Sequence, residues 1–292
     1  MRRPGVLKSG DEIAVVAPSS PFDRVKFARG VKALEQLGLK PVFGDRVYER
    51  RAYLAGDDEA RHAELQAALD SPARALVLAR GGYGALRFAT RLREVPAKVL
   101  LGYSDATVLH EVWWRARVPS LHGPMCTQLG EDPAALERLR ALLFEARPAA
   151  ALEWTPQAGD AGRVEGILRG GNLATLASLC GTPLQPDFAD ALVLLEDLNE
   201  PPYRLDRLLT QLLLSGALAQ ARGFLIGDLV APGEPLEGRA EVVAECLGPL
   251  GVPVAFGAPF GHAGRNQPVA LGTAHALDAG RGMLVPLEPF TC

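Results

Sequence analysis

Apolar and polar positions in the first half of the chain follow two alternating periods. A short apolar run from Ile13 to Ala17 predicts a strand. Ser20-Pro21-Phe22-Asp23 then predicts a helix start, with Ser20 as cap, Pro21 in the first turn, and Phe27, Val31 and Leu34 at helical spacing. Gly38 ends that helix. Pro41 to Phe43 predicts the next strand and Asp57 to Leu69 a helix. Ala75 to Ala79 predicts a strand running into the glycine-rich Arg80-Gly81-Gly82-Tyr83-Gly84. From Lys98 the chain is apolar until it breaks at Gly102, and helical periodicity resumes after Ser104 and continues to His110. Such alternation predicts a parallel sheet with helices on both faces. Ligands gather at the carboxyl ends of strands in these sheets, so Arg80 to Gly84 and Gly102 to Asp105 are expected to share one rim.

Periodicity fails between residues 146 and 162, which predicts a linker joining a domain over 1–145 to a second over 163–292. The second half opens with a short strand from Arg163 that runs into Gly170 and Gly171, with Asn172 capping a helix to Leu179. Ala191 to Glu196 is an apolar strand ending abruptly in acid. A helix over Tyr203 to Leu214, a strand over Gly223 to Leu229, a helix near Arg239 to Leu247 and glycine-punctuated strands complete the pattern. The fold class expected is therefore α/β, with an N-terminal parallel-sheet domain and a smaller C-terminal α/β domain.

Composition removes several classes of function. The chain has 292 residues, a formal net charge of -3, 48% hydrophobic and 22% charged residues, and no basic run, which gives no reason to expect a nucleic-acid partner. The N-terminus becomes charged too early for a signal peptide and no stretch approaches a membrane span, so a cytoplasmic location is the expectation. Cys126, Cys180, Cys246 and Cys292 lack metal or redox spacing, and no cluster of His, Cys and acid predicts a metal site.

The strand, turn and helix around Ser104 form the context of a nucleophile elbow, although Ala106 stands where the last glycine of the usual motif falls; a serine capping a helix is the competing reading. A catalytic serine needs a base, and the chain has five histidines. His62 reads as a surface group, His110 lies too far along the helix to reach back to Ser104, and His275 falls in a hairpin-like region. His122 and His262, each in a glycine-containing loop after a strand-like run, remain as candidates. Glu196, an acid ending a buried strand, is the outstanding carboxylate; Glu196 or Asp197 capping the next helix, and Glu200 at that helix's start, are the other readings. Arg80 to Gly84 lacks the order of a dinucleotide or P-loop motif. A Gly82 backbone N–H beside that of Asp105 fits an oxyanion hole, with a plain glycine-rich turn as the alternative. Arg80, ahead of these glycines, is a candidate partner for a substrate carboxylate or for a surface acid.

Taken together, Gly102-Tyr103-Ser104-Asp105, Arg80 to Gly84, Gly170-Gly171-Asn172-Leu173, Leu195-Glu196-Asp197, Tyr203 to Arg207 and Gly261-His262 resemble, across nearly the whole chain, the landmarks of the murein tetrapeptide LD-carboxypeptidases. That family also includes the microcin C immunity peptidases. The resemblance implies a Rossmann-like domain carrying the nucleophile Ser104 and a smaller domain carrying Glu196 as orienting acid and His262 as base, with the site between them. It further implies a short peptide substrate ending in a D-residue and a homodimer; the oxyanion donors, Asp105 with Gly82 or Gly81, and the expectation of no cofactor or metal rest on the residues themselves. Inactivation of a peptidyl-nucleotide antibiotic by the same triad, which would need an aromatic platform such as the linker's Trp154, is the alternative. A non-catalytic small-molecule binding protein is a second alternative.

Overall fold

The computed structural model describes residues 1–157, 159–230 and 237–292. It divides into two compact units: Met1–Arg147 with Gln267–Gly272 and Pro289–Cys292, and Pro148–Asn266 with Thr273–Glu288.

The first unit is built on β1 (Glu12–Val16), β2 (Lys40–Val42), β3 (Ala75–Leu78), β4 (Val99–Gly102) and β5 (Ser120–His122), with helices α1 (Arg24–Gln36), α2 (Asp58–Asp70), α3 (Ala106–Arg115) and α4 (Pro133–Phe144). The five strands are parallel in the order β5-β4-β3-β1-β2, a doubly wound arrangement whose order reverses between β1 and β3. β3 and β4 are buried along their whole length, as continuous apolar strands covered on both faces must be. The start of α1 differs from the sequence reading. Asp23 rather than Ser20 is the cap, its carboxylate accepting from the N–H groups of Val25 and Lys26, because an aspartate two and three residues ahead of free donors competes better than a serine displaced by Pro21.

The second unit holds β6 (Leu152–Glu153), β7 (Arg163–Asn172), β8 (Ala191–Leu198), β9 (Gly223–Val230) and β10 (Val254–Phe256), with α5 (Leu173–Ser178), α6 (Pro202–Leu214) and α7 (Glu237–Leu247). Its sheet continues through β12 (Ala274–Asp278) and β13 (Met283–Pro286), in the order β10-β9-β8-β7-β12-β13-β6. β7 to β10 are parallel and the remainder antiparallel. Val193, Leu195, Phe224 and Ile226 pack with Leu176, Leu205, Leu209 and Leu212 of α5 and α6 into a buried core.

Two expectations are corrected. The second domain does not run unbroken from 163 to 292: β11 (Val269–Leu271) pairs antiparallel with β5, and Cys292 N–H donates to Pro4 O, so both segments complete the first unit. Nor is 146–162 wholly a linker. Leu152 and Glu153 add an edge strand to β13, and Trp154 is buried beside Gly282, whose carbonyl accepts from its N–H at 2.8 Å. Two residues of strand are too short to leave a periodic signal. Position 158 of that stretch lies outside the described residues.

Candidate active site

The Ser104 turn is dictated by its neighbours. At Gly102 a Cβ would come to 3.0 Å from Ala106 Cβ, so any side chain there would crowd the point where β4 folds back into α3. Ser104 sits at φ 61°, a left-handed conformation unusual for a residue with a side chain, and Thr107 N–H closes the turn on its carbonyl at 2.9 Å. The result is a half-buried hydroxyl at the carboxyl end of a fully buried strand, with the first turn of a helix behind it: the elbow geometry, with Ala106 in place of glycine. His110 braces this turn from within. Its Nε2 lies 3.0 Å from Gly102 O and its Nδ1 2.8 Å from Ser120 Oγ, and burial lowers its pKa to about 4, so the ring is neutral.

The glycine loop after β3 approaches the serine directly. A Cβ on Gly81 would lie 2.9 Å from Ser104 Cβ and 3.0 Å from its Oγ, while one on Gly82 would strike Ser20. Within this loop the Tyr83 N–H donates to Ser20 Oγ, and the N–H groups of Gly84 and Ala85 donate to Asp105. Among the described residues the backbone N–H groups of Arg80, Gly81 and Gly82 find no acceptor, Gly81 being the one brought against Ser104, and the Asp105 N–H lies in the helix turn where donors have no intrahelical acceptor. Arg80 does something neither sequence reading foresaw: its exposed guanidinium donates to Pro21 O at 2.7 Å.

In the second unit, β8 carries Glu196, fully buried, at a break in register with β9 between Leu195 and Asp197. A bulge of this kind re-aims a side chain. The Glu196 Oε2 accepts from His262 Nδ1 at 2.7 Å. Burial alone would lower the pKa of His262, but the hydrogen bond to Glu196 and the charges of Glu196, Asp197 and Asp228 outweigh it and raise the value above 6.5. Gly170 and Gly171, both at positive φ, end β7 against β8, and Asn172 caps α5 through Thr175 N–H while its amide donates to Asp197. Asp197 also accepts from Ala174 N–H; burial, with Glu196 adding, pushes its carboxyl to about 6. Glu200, the other acid of this motif, sits instead 2.6 Å from the Arg204 guanidinium.

Asp228 escaped the sequence reading. It accepts from Ala263 N–H at 2.5 Å and packs under Gly261, where a Cβ would come within 2.8 Å of its own, so it holds the histidine loop from the end of β9. Its signal, an acid inside an apolar strand with Leu229 and Val230 still to follow, is weaker than that of Glu196. Of the other histidines, His122 is buried in β5 with its ring 5.7 Å from that of Tyr103, and His275 is buried in β12. Among the described residues no group of His, Cys, Asp and Glu could hold a metal, and no helix is long and apolar enough to cross a membrane.

An α/β fold with a serine elbow and a carboxylate-bound histidine defines a hydrolase of the serine type, and comparison with known proteins names its family. The LD-carboxypeptidase N-terminal domain matches residues 13–123 and the LD-carboxypeptidase C-terminal domain residues 165–277. The chain belongs to the LD-carboxypeptidase family. The murein tetrapeptide carboxypeptidase of Pseudomonas aeruginosa is 32% identical over 288 residues, covering 92% of this chain and 94% of that protein. A crystal structure of muramoyltetrapeptide carboxypeptidase from Oxalobacter formigenes superposes with a TM-score of 0.83 at 26% identity, over 95% of this chain and 99% of that one. The structure of MccF in complex with glutamyl sulfamoyl guanosine shares the fold at a TM-score of 0.87 and 20% identity, over 100% of both chains.

Proposed function

We propose that this carboxypeptidase removes a C-terminal D-residue from murein-derived peptides by acyl transfer through Ser104. The observation that carries this reading is the 2.7 Å bond between Glu196 and His262 Nδ1. It fixes the imidazole so that Nδ1 carries the proton and Nε2 the lone pair a base needs. In the proposed reaction Ser104 Oγ attacks the scissile carbonyl carbon as its proton passes to His262 Nε2. The carbonyl oxygen becomes an oxyanion held by N–H groups of Asp105 and the Gly81-Gly82 loop. The imidazolium returns the proton to the departing amine, leaving an acyl ester on Ser104, which water attacks by the same proton path in reverse.

The names of the Pseudomonas aeruginosa and Oxalobacter formigenes relatives support a murein tetrapeptide as substrate. The likeness in fold to MccF supports the antibiotic-inactivating alternative as a second reading, although Trp154, the aromatic platform considered for it, is buried. A homodimer, as the resemblance implies, and a cytoplasmic location complete the proposal and are checked by light scattering and cell fractionation. The substrate reading is tested by mass spectrometry of three incubations: tetrapeptide with a free terminal carboxylate, its C-terminal amide, and an aminoacyl sulfamoyl adenylate. Release of D-alanine from the free acid only is the expected result. Equal cleavage of the amide removes the exopeptidase reading, and turnover of the adenylate alone replaces the substrate class.

A further inference from the structure

The residue after the nucleophile carries a buried carboxylate whose duties are not those of a helix cap. Asp105 occupies the N-cap position of α3, yet its side chain makes no capping bond to that helix. Its Oδ2 instead accepts from Ser19 Oγ at 2.6 Å and from Ala85 N–H at 2.8 Å, and the carboxylate also takes the Gly84 N–H. Ser19 lies in the loop after β1, and Gly84 and Ala85 in the loop after β3, the two strands between which the sheet order reverses. One side chain therefore bridges both loops that border the switch point.

The bridge continues on each side. Ser20 N–H donates to Gly81 O at 3.2 Å, and Ser20 Oγ accepts from Tyr83 N–H at 3.2 Å. The fully buried Arg61 donates to Pro18 O and to Asp58, and it lies where a Cβ on Gly84 would be, so its charge faces the same knot and favours the Asp105 anion. These bonds, together with Arg80 to Pro21 O, tie the loop carrying Gly81 to the loop after β1, and Thr127 N–H donates to Ala79 O. A negative charge one residue from a developing oxyanion opposes it electrostatically. Burial raises the carboxyl pKa as well, so a hydrophobic residue would be the easier occupant if packing were the only requirement.

We propose that the Asp105 side chain is a positioning residue that clamps the loops after β1 and β3 together, holding the Gly81 and Gly82 N–H groups beside Ser104 Oγ and thereby setting the rate of acylation rather than the affinity for substrate. This rests on Ser104 as the nucleophile.

The test uses the full chain as wild type, Ser104→Ala, Asp105→Ala, Asp105→Asn and Ser19→Ala. It measures kcat and KM on murein tetrapeptide, the rate of modification by a fluorophosphonate with the labelled residue located by mass spectrometry, and Tm. Asp105→Ala should lower kcat and the labelling rate by about 10²–10³ with KM within roughly threefold, the scale of losing preorganised oxyanion donors. Asp105→Asn, whose amide oxygen can still accept from Ser19 and Ala85, should recover about tenfold of that loss, and Ser19→Ala should lower kcat about tenfold at unchanged KM. A folded Asp105→Ala enzyme with kcat within threefold of wild type, or with its loss confined to KM, overturns the proposal. Where Asp105→Ala does not fold, Asp105→Asn and Ser19→Ala decide, and kcat within twofold of wild type in both overturns it. Wild-type enzyme labelled elsewhere than Ser104 overturns the nucleophile reading and takes this proposal with it, an outcome distinct from labelling at Ser104 that is indifferent to Asp105.

Discussion

Ser104 and His262 are held in place by opposite means. The serine owes its position to immediate neighbours in sequence: Gly102 permits the fold-back, Thr107 closes the turn, and the φ of 61° turns Oγ outward. The histidine sits in a loop and is held by Glu196, 66 positions earlier, while Asp228 anchors the next residue from 35 positions earlier. A nucleophile can be prepared by local backbone geometry because all it needs is exposure and a helix behind it. A base needs a partner that settles which nitrogen bears the proton, and such a partner comes from a different strand.

Substitutions at the two places should therefore fail differently. The largest effect is expected from Ser104→Ala, which should lower kcat by about 10⁴–10⁶ with Tm unchanged, since no covalent route remains. Next, Glu196→Gln should cost about 10²–10⁴ in kcat, because a neutral amide neither fixes the tautomer nor stabilises the imidazolium, whereas Glu200→Gln should stay within about fivefold. Steady-state kinetics of the pair decides it, and a larger loss at Glu200 would transfer the orienting role. A smaller effect is expected from Gly81→Ala, whose Cβ would press on Ser104 Cβ and Oγ; roughly tenfold lower kcat with little change in KM would show that the turn tolerates no added bulk.

The mildest and most diagnostic measurement is the pH profile. His262 must be neutral to act, and its pKa is raised above 6.5, so the acid limb of kcat/KM should fall above pH 6.5. Glu196→Gln removes the hydrogen-bonded anion that raises it and should move that limb to lower pH; a limb that stays put would separate the titrating group from the pair. The same sign governs stability. The pair's contribution is complete below the unfolded histidine pKa and is lost as pH rises through the higher folded value.

This contrast also explains how much could be read before the fold was known. The strand, turn and helix around Ser104, and the glycine loop preceding it, leave local marks: an apolar run, a glycine, resumed helical spacing. Glu196 was legible as an acid ending a buried strand, but its choice over Glu200 depended on a bulge between β8 and β9 that no single segment encodes. Asp228 and the carboxylate of Asp105 were missed as anchors because their partners, Ala263, Ser19 and Ala85, are brought near only by the sheet order. His110 was set aside for being unable to reach Ser104, which was a question about the wrong atom; it reaches Gly102 instead.

The return of β11 to the first sheet, and of residues 289–292 to the first unit, bears on how the chain is made. During synthesis the N-terminal unit emerges with β5 as an uncovered edge, and the strand that closes it follows only after most of the second unit has been made. The strap of Val6 N–H to Cys292 O and Cys292 N–H to Pro4 O cannot form until residue 292 has emerged. The unit bearing the nucleophile is thus begun before the second unit and completed after it, and an unpaired edge kept waiting through the translation of most of that unit is where a nascent chain of this design is open to misassociation.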